Sequence, residues 1–548
     1  MSQSSLPNQE NRFHFVVSHA GSSHLLDKSA RRFLVNGAAQ AKCRKHEGPR
    51  NGQHSGFKRR HTAKLGFSMN SWRVKTGDGN PQRHIDRGTE MTRYDKHSNS
   101  ETATSNRFIE YYLPEPDGLH LQVPSNPSYG AEPWAAALFN YYFHMMVMWR
   151  YPVKFRCFSD LYCPPYAQQE ASYSLHDRSN FFTTLAVASS HLQMYKRELG
   201  FDPFSNQLGL IPFDRFAYYR IVSLETIRHD VCNYNNMRAE DKAALIWAVC
   251  KMAHADLFCN DFEAAKIHLM AIARIIRHAG EWPRIEEYQK HMLFIVDVNT
   301  AAMFLENPLF PASFQQRNWD EFKLTSLPAL CGRITSSTLA SQFLEERMSS
   351  ALGEPFLQMM ITQLHHIIVL LEYLTSIDGS HSKPEYVEWA TYTINAMDHE
   401  ILSKIASFSE LPPGSGGLIR DIQEGCLISI LCLNFTIVKP ASCYRGIKLA
   451  YFLMRSLSKV KKITHDPRFR DLYLWMACMG ACVTPCPTQR SYLLKLLGKL
   501  ALSLRISCWT DFVCILKGFF YIEHIHGPRI RSLFEKTIIK QRENEKIH

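Results

Sequence analysis

Asp261-Phe262-Glu263-Ala264-Ala265-Lys266-Ile267-His268-Leu269-Met270-Ala271-Ile272-Ala273-Arg274-Ile275-Ile276-Arg277-His278-Ala279-Gly280 is the stretch that decides the fold of this chain. Phe262, Ala265, Leu269, Ile272 and Ile276 recur at steps of three and four, which gathers them on one face of a helix. Asp261 and Glu263 stand at its start, Arg277 and His278 at its end, each near the dipole pole that favours its charge. Gly280 supplies the stop signal.

The same period returns at Trp509, Phe512, Val513, Leu516 and Phe520, after which Gly527-Pro528 is expected to break the chain before a last helix through Leu533. Comparable stretches fall at 216–231, 238–258, 284–305, 338–372, 383–407, 417–438, 444–458, 467–483 and 488–503. Between them there is no sustained alternation bounded by hairpin turns, and no fixed repeat period. The two most apolar runs, Trp134–Trp149 and Cys426–Val438, are interrupted by Asn140 and His144 and by Ser429 and Asn434. Both fall short of the roughly 18–20 apolar residues a membrane span requires, so they read as buried core helices and no membrane partner is expected. The reading is an all-α fold.

Charge divides the 548 residues sharply. The chain carries a net +12, and the window from Lys28 to Lys96 alone holds 17 Lys/Arg against 5 Asp/Glu. The remainder holds 46 of each sign. Residues 1–100 therefore read as a disordered basic arm, with the apolar run Phe13–Val17 and the basic stretch Lys28 to Lys42 as its possible ordered pieces. Residues 101–130 form a Pro-rich linker around Leu113-Pro114-Glu115-Pro116-Asp117-Gly118, and 131–548 a large multi-helix domain. The first ten residues contain no apolar core of a secretory signal. Fifteen cysteines are scattered among apolar neighbours, as in Ile430-Leu431-Cys432-Leu433, which suits reduced, buried thiols in a nuclear or cytosolic protein. The sequon at Asn434 lies inside an apolar helix and is expected to be unused, while Gly414-Ser415-Gly416-Gly417 reads as a flexible loop.

Motifs of catalysis are missing from the sequence: no phosphate-binding G-x-x-x-x-G-K-[ST], no G-x-G-x-x-G opening a helix, no G-x-S-x-G and no H-E-x-x-H. Cys478, Cys482 and Cys486 recur at four-residue steps, which would stack thiols on one helical face, although Pro487 places a helix end close by. They read as core thiols rather than metal ligands, since chelation needs tighter pairs and a fourth ligand. His365 and His366 are adjacent on a helix and point apart, and His524 and His526 are expected to meet a helix end through the dipole. No catalytic, metal or cofactor residue is nominated. The candidate contact residues are cations of the arm: Lys42, Arg44 and Lys45, then Lys58, Arg59 and Arg60 after a twelve-residue spacer. Two such clusters fit a bipartite nuclear import signal; non-specific nucleic-acid contact and a plain solvated charge run remain the alternatives.

Several segments of the body resemble the fungal-specific transcription factor domain, the helical regulatory region of fungal zinc-cluster regulators. The stretch from Asp261 to Gly280 is similar to one of its helices. Phe294-Ile295-Val296-Asp297, continuing through Ala301-Ala302 to Asn307-Pro308-Leu309-Phe310-Pro311, is similar to the next segment, an Asp-bearing helix that ends in a Pro-x-Phe-Pro turn. Leu474-Trp475 with Gly480-Ala481, Trp509-Thr510-Asp511-Phe512 and Gly518-Phe519-Phe520-Tyr521 resemble the closing helices. Phe13–Val17 followed by Lys28-Ser29-Ala30-Arg31-Arg32 resembles the arm of some members, with Asn36-Gly37-Ala38 departing from the usual form.

The six-cysteine zinc module of that family has no counterpart, because Cys43 is the only cysteine before Cys157. Either the protein acts without it or an upstream exon has been lost. The resemblance implies a nuclear, non-enzymatic regulator, partnered by an import receptor and other transcription regulators, with nucleic acid bound at most non-specifically through the arm. A homodimer is among the assemblies it allows, and a cytosolic helical scaffold is the alternative. Asp297, Trp475, Gly480 and the Pro308–Pro311 turn are expected to serve packing and capping rather than ligand contact.

Overall fold

The computed structural model describes residues 133–150, 165–199, 214–279, 285–311, 337, 340–345, 355–376, 384–410, 417–438, 443–459 and 469–539. The basic arm and linker, with Phe13–Val17 and Lys28 to Lys42, lie outside the described residues, as do Gly414 to Gly416. Among the described residues every regular element is helical, so the chain is all-α.

The first group of helices comprises α1 (Pro133–Arg150), α2 (Pro165–His176), α3 (Arg178–Leu199), α4 (Asp214–Cys232), α5 (Ala239–Phe258) and α6 (Phe262–Ala279). Helix α3 packs on α1, α2, α4 and α5, and α5 on α6. Leu185, Ala186, Val187, Ala248 and Val249 are sealed from solvent at their centre. The periodic face foreseen on α6 is the face it buries: Phe262, Ala265, Leu269 and Ile272 are buried and Ile276 is half-buried. Asp261 caps that helix, its Oδ1 accepting the Ala264 N–H at 3.3 Å.

Next comes α7 (Glu287–Phe304), opened by a reciprocal cap in which the Glu286 N–H donates to Gln289 Oε1 at 3.1 Å. It is followed by α8 (Ser341–Leu344), α9 (Pro355–Ser376), α10 (Pro384–Ser409), α11 (Gly417–Val438), α12 (Cys443–Lys459) and α13 (Arg470–Val483). The last three are α14 (Pro487–Ser503), α15 (Trp509–Gly518) and α16 (Glu523–Phe534). All residues from Leu472 to Val483 on α13 are buried. A helix apolar on every side must run through an interior, and α13 is enclosed by α11, α12, α14, α15 and α16.

The apolar interior is two cores, not one. Helices α1 to α6 enclose the first, which Phe310 also enters. Helices α8 to α16 enclose the second. Helix α7 serves both: Tyr288, Leu293 and Val296 face the first core, while Phe294, Val298, Ala301 and Ala302 face the second. That division explains why its sequence is apolar nearly all round.

Three sequence expectations need correction. The 338–372 stretch is not one helix: Ala340 adopts a left-handed φ of 60°, α8 is a single turn, and Pro355, which favours a first helical position, opens α9. Gly527-Pro528 does not precede the last helix but lies inside α16, which begins at Glu523. Cys486 leaves the face of Cys478 and Cys482, because α13 ends at Val483 and Cys486 is the N-cap of α14, with Pro487 at its first position.

Candidate functional site

Lys42, Arg44, Lys45, Lys58, Arg59 and Arg60 lie outside the described residues. The chemistry that the structure does place is a set of buried polar clusters within and between the two cores.

In the first core, α5 carries Lys251 into the interior opposite Glu170 of α2. Lys251 Nζ lies 2.5 Å from Glu170 Oε1, and the two side chains are 2% and 0% exposed. The ammonium also donates to Ser174 Oγ at 2.9 Å and Thr184 Oγ1 at 3.0 Å, so its three protons are all used. It sits over the rings of Trp247 and Tyr142, at 5.2 and 5.7 Å from their centroids. Glu170 Oε1 accepts a further bond from Ser174 Oγ, and Oε2 accepts from Trp247 Nε1 at 2.7 Å and Tyr288 Oη at 2.8 Å. Burial pulls the Lys251 ammonium below the ordinary lysine range, and the Glu170 carboxylate opposes that pull. Burial and then Glu170 push the Tyr288 phenol well above its ordinary value, so it stays a donor. The protons and lone pairs at the centre are satisfied by the protein itself. Such a closed network fixes one packing arrangement rather than presenting a group for reaction.

A second cluster joins α4, α5 and α6. Arg220 Nη2 lies 2.7 Å from Asp256 Oδ1 and 3.3 Å from Asp261 Oδ2, while His268 Nε2 is 3.2 Å from Asp256 Oδ2. Asp256 is fully enclosed, and the Arg220 guanidinium supplies the charge that offsets its burial, with the His268 ring beside it.

The third cluster lies on the second-core side of α7. Arg445 Nη2 donates to Asp398 Oδ2 at 3.0 Å, and its Nη1 donates to Asn299 Oδ1. Asn434 Nδ2 closes the group on Asp398 Oδ1 at 2.8 Å. Four helices, α7, α10, α11 and α12, are tied by this one guanidinium and its carboxylate.

Asp297 of α7 serves the capping and packing role expected of it. Its Oδ1 accepts the Leu309 N–H at 3.1 Å and its Oδ2 the Phe310 N–H at 2.8 Å. Phe310 then presents its carbonyl to His399 Nε2 of α10 at 2.7 Å, and the His399 ring stacks on Phe294 at 5.2 Å. Phe310 thus places its side chain in the first core while its backbone is held from the second. Burial raises the Asp297 carboxyl to about 7 against the lowering pull of the two N–H donors, and burial lowers the His399 imidazole.

Of the thiols, Cys478 and Cys482 are both buried and hydrogen-bond each other. The Cys478 bond favours the Cys482 thiolate, and burial drives the Cys478 thiol well up. His365 and His366 have ring centroids 5.9 Å apart, and burial lowers both, His365 further by the neighbouring His366. His526 departs from the dipole role expected of it. It lies in the first turn of α16, where a cation is disfavoured, and its Nδ1 accepts the Ile522 N–H at 3.0 Å. Nε2 therefore carries the proton and donates to Thr436 Oγ1 at 2.8 Å, so the residue is a neutral cap. The side chain of His524 is outside the described residues. Among the described residues no group of three His, Cys, Asp or Glu side chains is placed to hold a metal ion.

Sequence reasoning passed over Glu170, Lys251, Asp398 and Arg445. A signal existed for Lys251, the one Lys, Arg, Asp or Glu in the mostly apolar run from Ala243 to Ala255. A lone charge on a helix buried on every side must find a partner, but the sequence does not say which.

No protein-family model matches the chain, and no curated protein or solved structure matches it either.

Proposed function

We propose that this chain is a nuclear, non-enzymatic, transcription-regulator-like protein whose helical body acts as a regulatory and interaction module and whose basic arm supplies import. One observation carries the non-enzymatic part. The Glu170–Lys251 and Asp398–Arg445 pairs are spent on one another and on neighbouring polar groups of the body, as expected of charges that specify packing rather than react. The motif order from Asp261 to Tyr521 supports the transcriptional part, with the Asp297 brace of the Pro308–Pro311 turn as its best-defined element. The partners on this reading are an import receptor and other transcription regulators, with nucleic acid met non-specifically by the arm.

The test is the distribution of a fluorescent fusion of the full chain. Nuclear accumulation that disappears when Lys42, Arg44, Lys45, Lys58, Arg59 and Arg60 are all changed to Ala is the expected result. A parent fusion excluded from the nucleus sinks the proposal and leaves the cytosolic scaffold.

A further inference from the structure

The zero net charge outside the arm conceals two opposed halves. Residues 425–510 hold 13 Lys/Arg against 2 Asp/Glu, Asp466 and Asp471. Everything outside that window and the arm's window holds 33 Lys/Arg against 44 Asp/Glu. Helices α12 and α14 lie inside the basic window, and neither contains a single acidic residue.

Folding sorts these helices into an inner and an outer face. On α12, Leu449, Ala450, Leu453 and Leu457 are buried, and Lys448, Tyr451, Arg455 and Ser458 form the opposite stripe at i, i+3, i+7 and i+10. On α14, Leu493, Leu497, Leu500 and Ala501 are buried, and Ser491, Lys495, Lys499 and Leu502 form the outer stripe. Both helices pack on α13 and touch each other. Gly480 of α13 is the point of closest approach: a Cβ there would lie 2.9 Å from Leu453 Cδ2 and 3.2 Å from Leu493 Cδ1. The two helices therefore lie side by side on α13, each with its outer stripe turned away from the buried contact.

We propose that these outer faces of α12 and α14, carrying Lys448, Arg455, Lys495 and Lys499 together with Tyr451, form a second nucleic-acid docking surface that meets the phosphate backbone. This goes beyond the functional reading above, which gives nucleic-acid contact to the arm alone, and it does not depend on where the protein resides.

Arg455, Lys495 and Lys499 are exposed, Lys448 is half-buried, and none of the four has a carboxylate partner among the described residues. Four residues of helix separate Lys495 from Lys499, about 6 Å, and seven separate Lys448 from Arg455, about 10.5 Å, so the charges are spread along the face rather than bunched. Tyr451, 52% exposed between Lys448 and Arg455, offers a flat ring at the centre of the cationic stripe. The carboxylates on neighbouring elements are Asp421 and Glu424 of α11, which packs on α12 and whose Asp421 carbonyl accepts the Ser456 hydroxyl, and Glu535 in the turn beside α14, which pairs with Arg531 at 3.6 Å. Asp471 is partly buried at the start of α13. Cations alone would suit any polyanion, but the exposed Tyr451 ring among them gives an unpaired base a face to stack on, which a carboxylate-rich peptide would not use. That combination favours nucleic acid over an acidic protein segment.

The experiment measures binding of the full chain to fluorescent mixed-sequence DNA, duplex and single-stranded, across a salt series. It compares the parent, a variant with the six arm cations changed to Ala, the face reversal K448E/R455E/K495E/K499E, and the combination of both. Arg455, Lys495 and Lys499 are exposed and Lys448 is half-buried, so circular dichroism checks that helicity is kept. Face reversal is expected to lower DNA affinity at least about tenfold in both arm backgrounds and to flatten the salt slope by about 0.9 for each phosphate no longer neutralised. The charge-preserving K448R/K495R/K499R variant should bind as the parent does. Unchanged DNA affinity on face reversal in the arm-neutral background overturns the proposal. So does a greater loss of polyglutamate than of DNA binding, which would assign the face to an acidic protein.

Discussion

Asp297 accepts the backbone N–H of Phe310 at 2.8 Å from thirteen residues away, and with the Leu309 N–H it turns the end of α7 back on itself. The same Phe310 residue donates its N–H to α7 and offers its carbonyl to His399 of α10. Here the two cores are stitched together.

Removing the brace should be costly. Asp297→Ala orphans two N–H groups in a site where the residue is 1% exposed, and should lower stability by about 2–4 kcal/mol. Asp297→Asn keeps one acceptor and turns an amide N–H towards the other donor, for a loss of about 1–2 kcal/mol. Urea denaturation followed by tryptophan fluorescence measures both, and equal midpoints for parent and Asp297→Ala would show that the turn is held by something else.

The pH dependence of this brace has an unusual sign. Asp297 is raised to about 7 in the fold from an ordinary value of 3.8, so between those values the native state binds more protons than the unfolded chain. Its contribution is fully present below the unfolded value and is lost as pH rises through about 7, with a slope of up to about 1.4 kcal/mol per pH unit. In Asp297→Asn that slope should vanish, read as the pH profile of the denaturation midpoint from pH 4 to 8.

His399 acts in the opposite direction. Its pKa is lowered by burial, and its Nδ1 has no partner among the described residues, so a second ring proton would enter a site without an acceptor. The stability it contributes is present above the ordinary imidazole value of 6.5 and is lost as pH falls through the lower folded value. His399→Gln can still donate to the Phe310 carbonyl but does not titrate. It should therefore flatten the acid side of the profile and leave the neutral side near the parent.

The Lys251–Glu170 pair invites a double-mutant cycle. Lys251→Met leaves a carboxylate buried without its cation, and Glu170→Gln leaves the ammonium without its anion; each should lower stability by about 3–5 kcal/mol. The double variant should lose clearly less than the sum of the singles, because neither uncompensated charge remains. Simple additivity would show that the ion pair is not the unit of stabilisation.

Gly446 gives a steric test of how α12 meets α13. A Cβ at this position would sit well inside van der Waals contact of the Val483 carbonyl oxygen, which is backbone and cannot swing away. Gly446→Ala should therefore force α12 off α13 and lower stability by about 1–3 kcal/mol. Gly425→Ala on α11 meets only Ser456 Oγ at 3.2 Å and a flexible methionine, so it should be milder in the same thermal-melt comparison.

Local order was legible in the sequence because it is written locally. The face of α6, its acidic start at Asp261 and Glu263, the helix end near Pro487 and the absence of strand periodicity all depend on residues within a turn or two of each other. Where local signals misled, tertiary packing had overruled them. Pro528 sits inside α16 while His526 caps its start and Phe534 packs in the second core, and the apolar pattern over 338–372 spans a turn where Ala340 bonds the Lys517 carbonyl. The Asp297 brace was half-legible, since the motif placed an aspartate and a proline turn in order but not the bonds between them.

By itself, then, the sequence determined that this protein is helical, where most helices begin and end, and which face of α6 is apolar, since these follow from spacing along one chain. It could not say that the apolar faces would close into two cores, or that α7 would serve both. Nor could it pair Glu170 with Tyr288 across 118 residues or Arg445 with Asn299 across 146. A buried charge specifies that it needs a partner, not which one. Only the packing of helices brings distant residues within the few ångströms over which hydrogen bonds and ion pairs act.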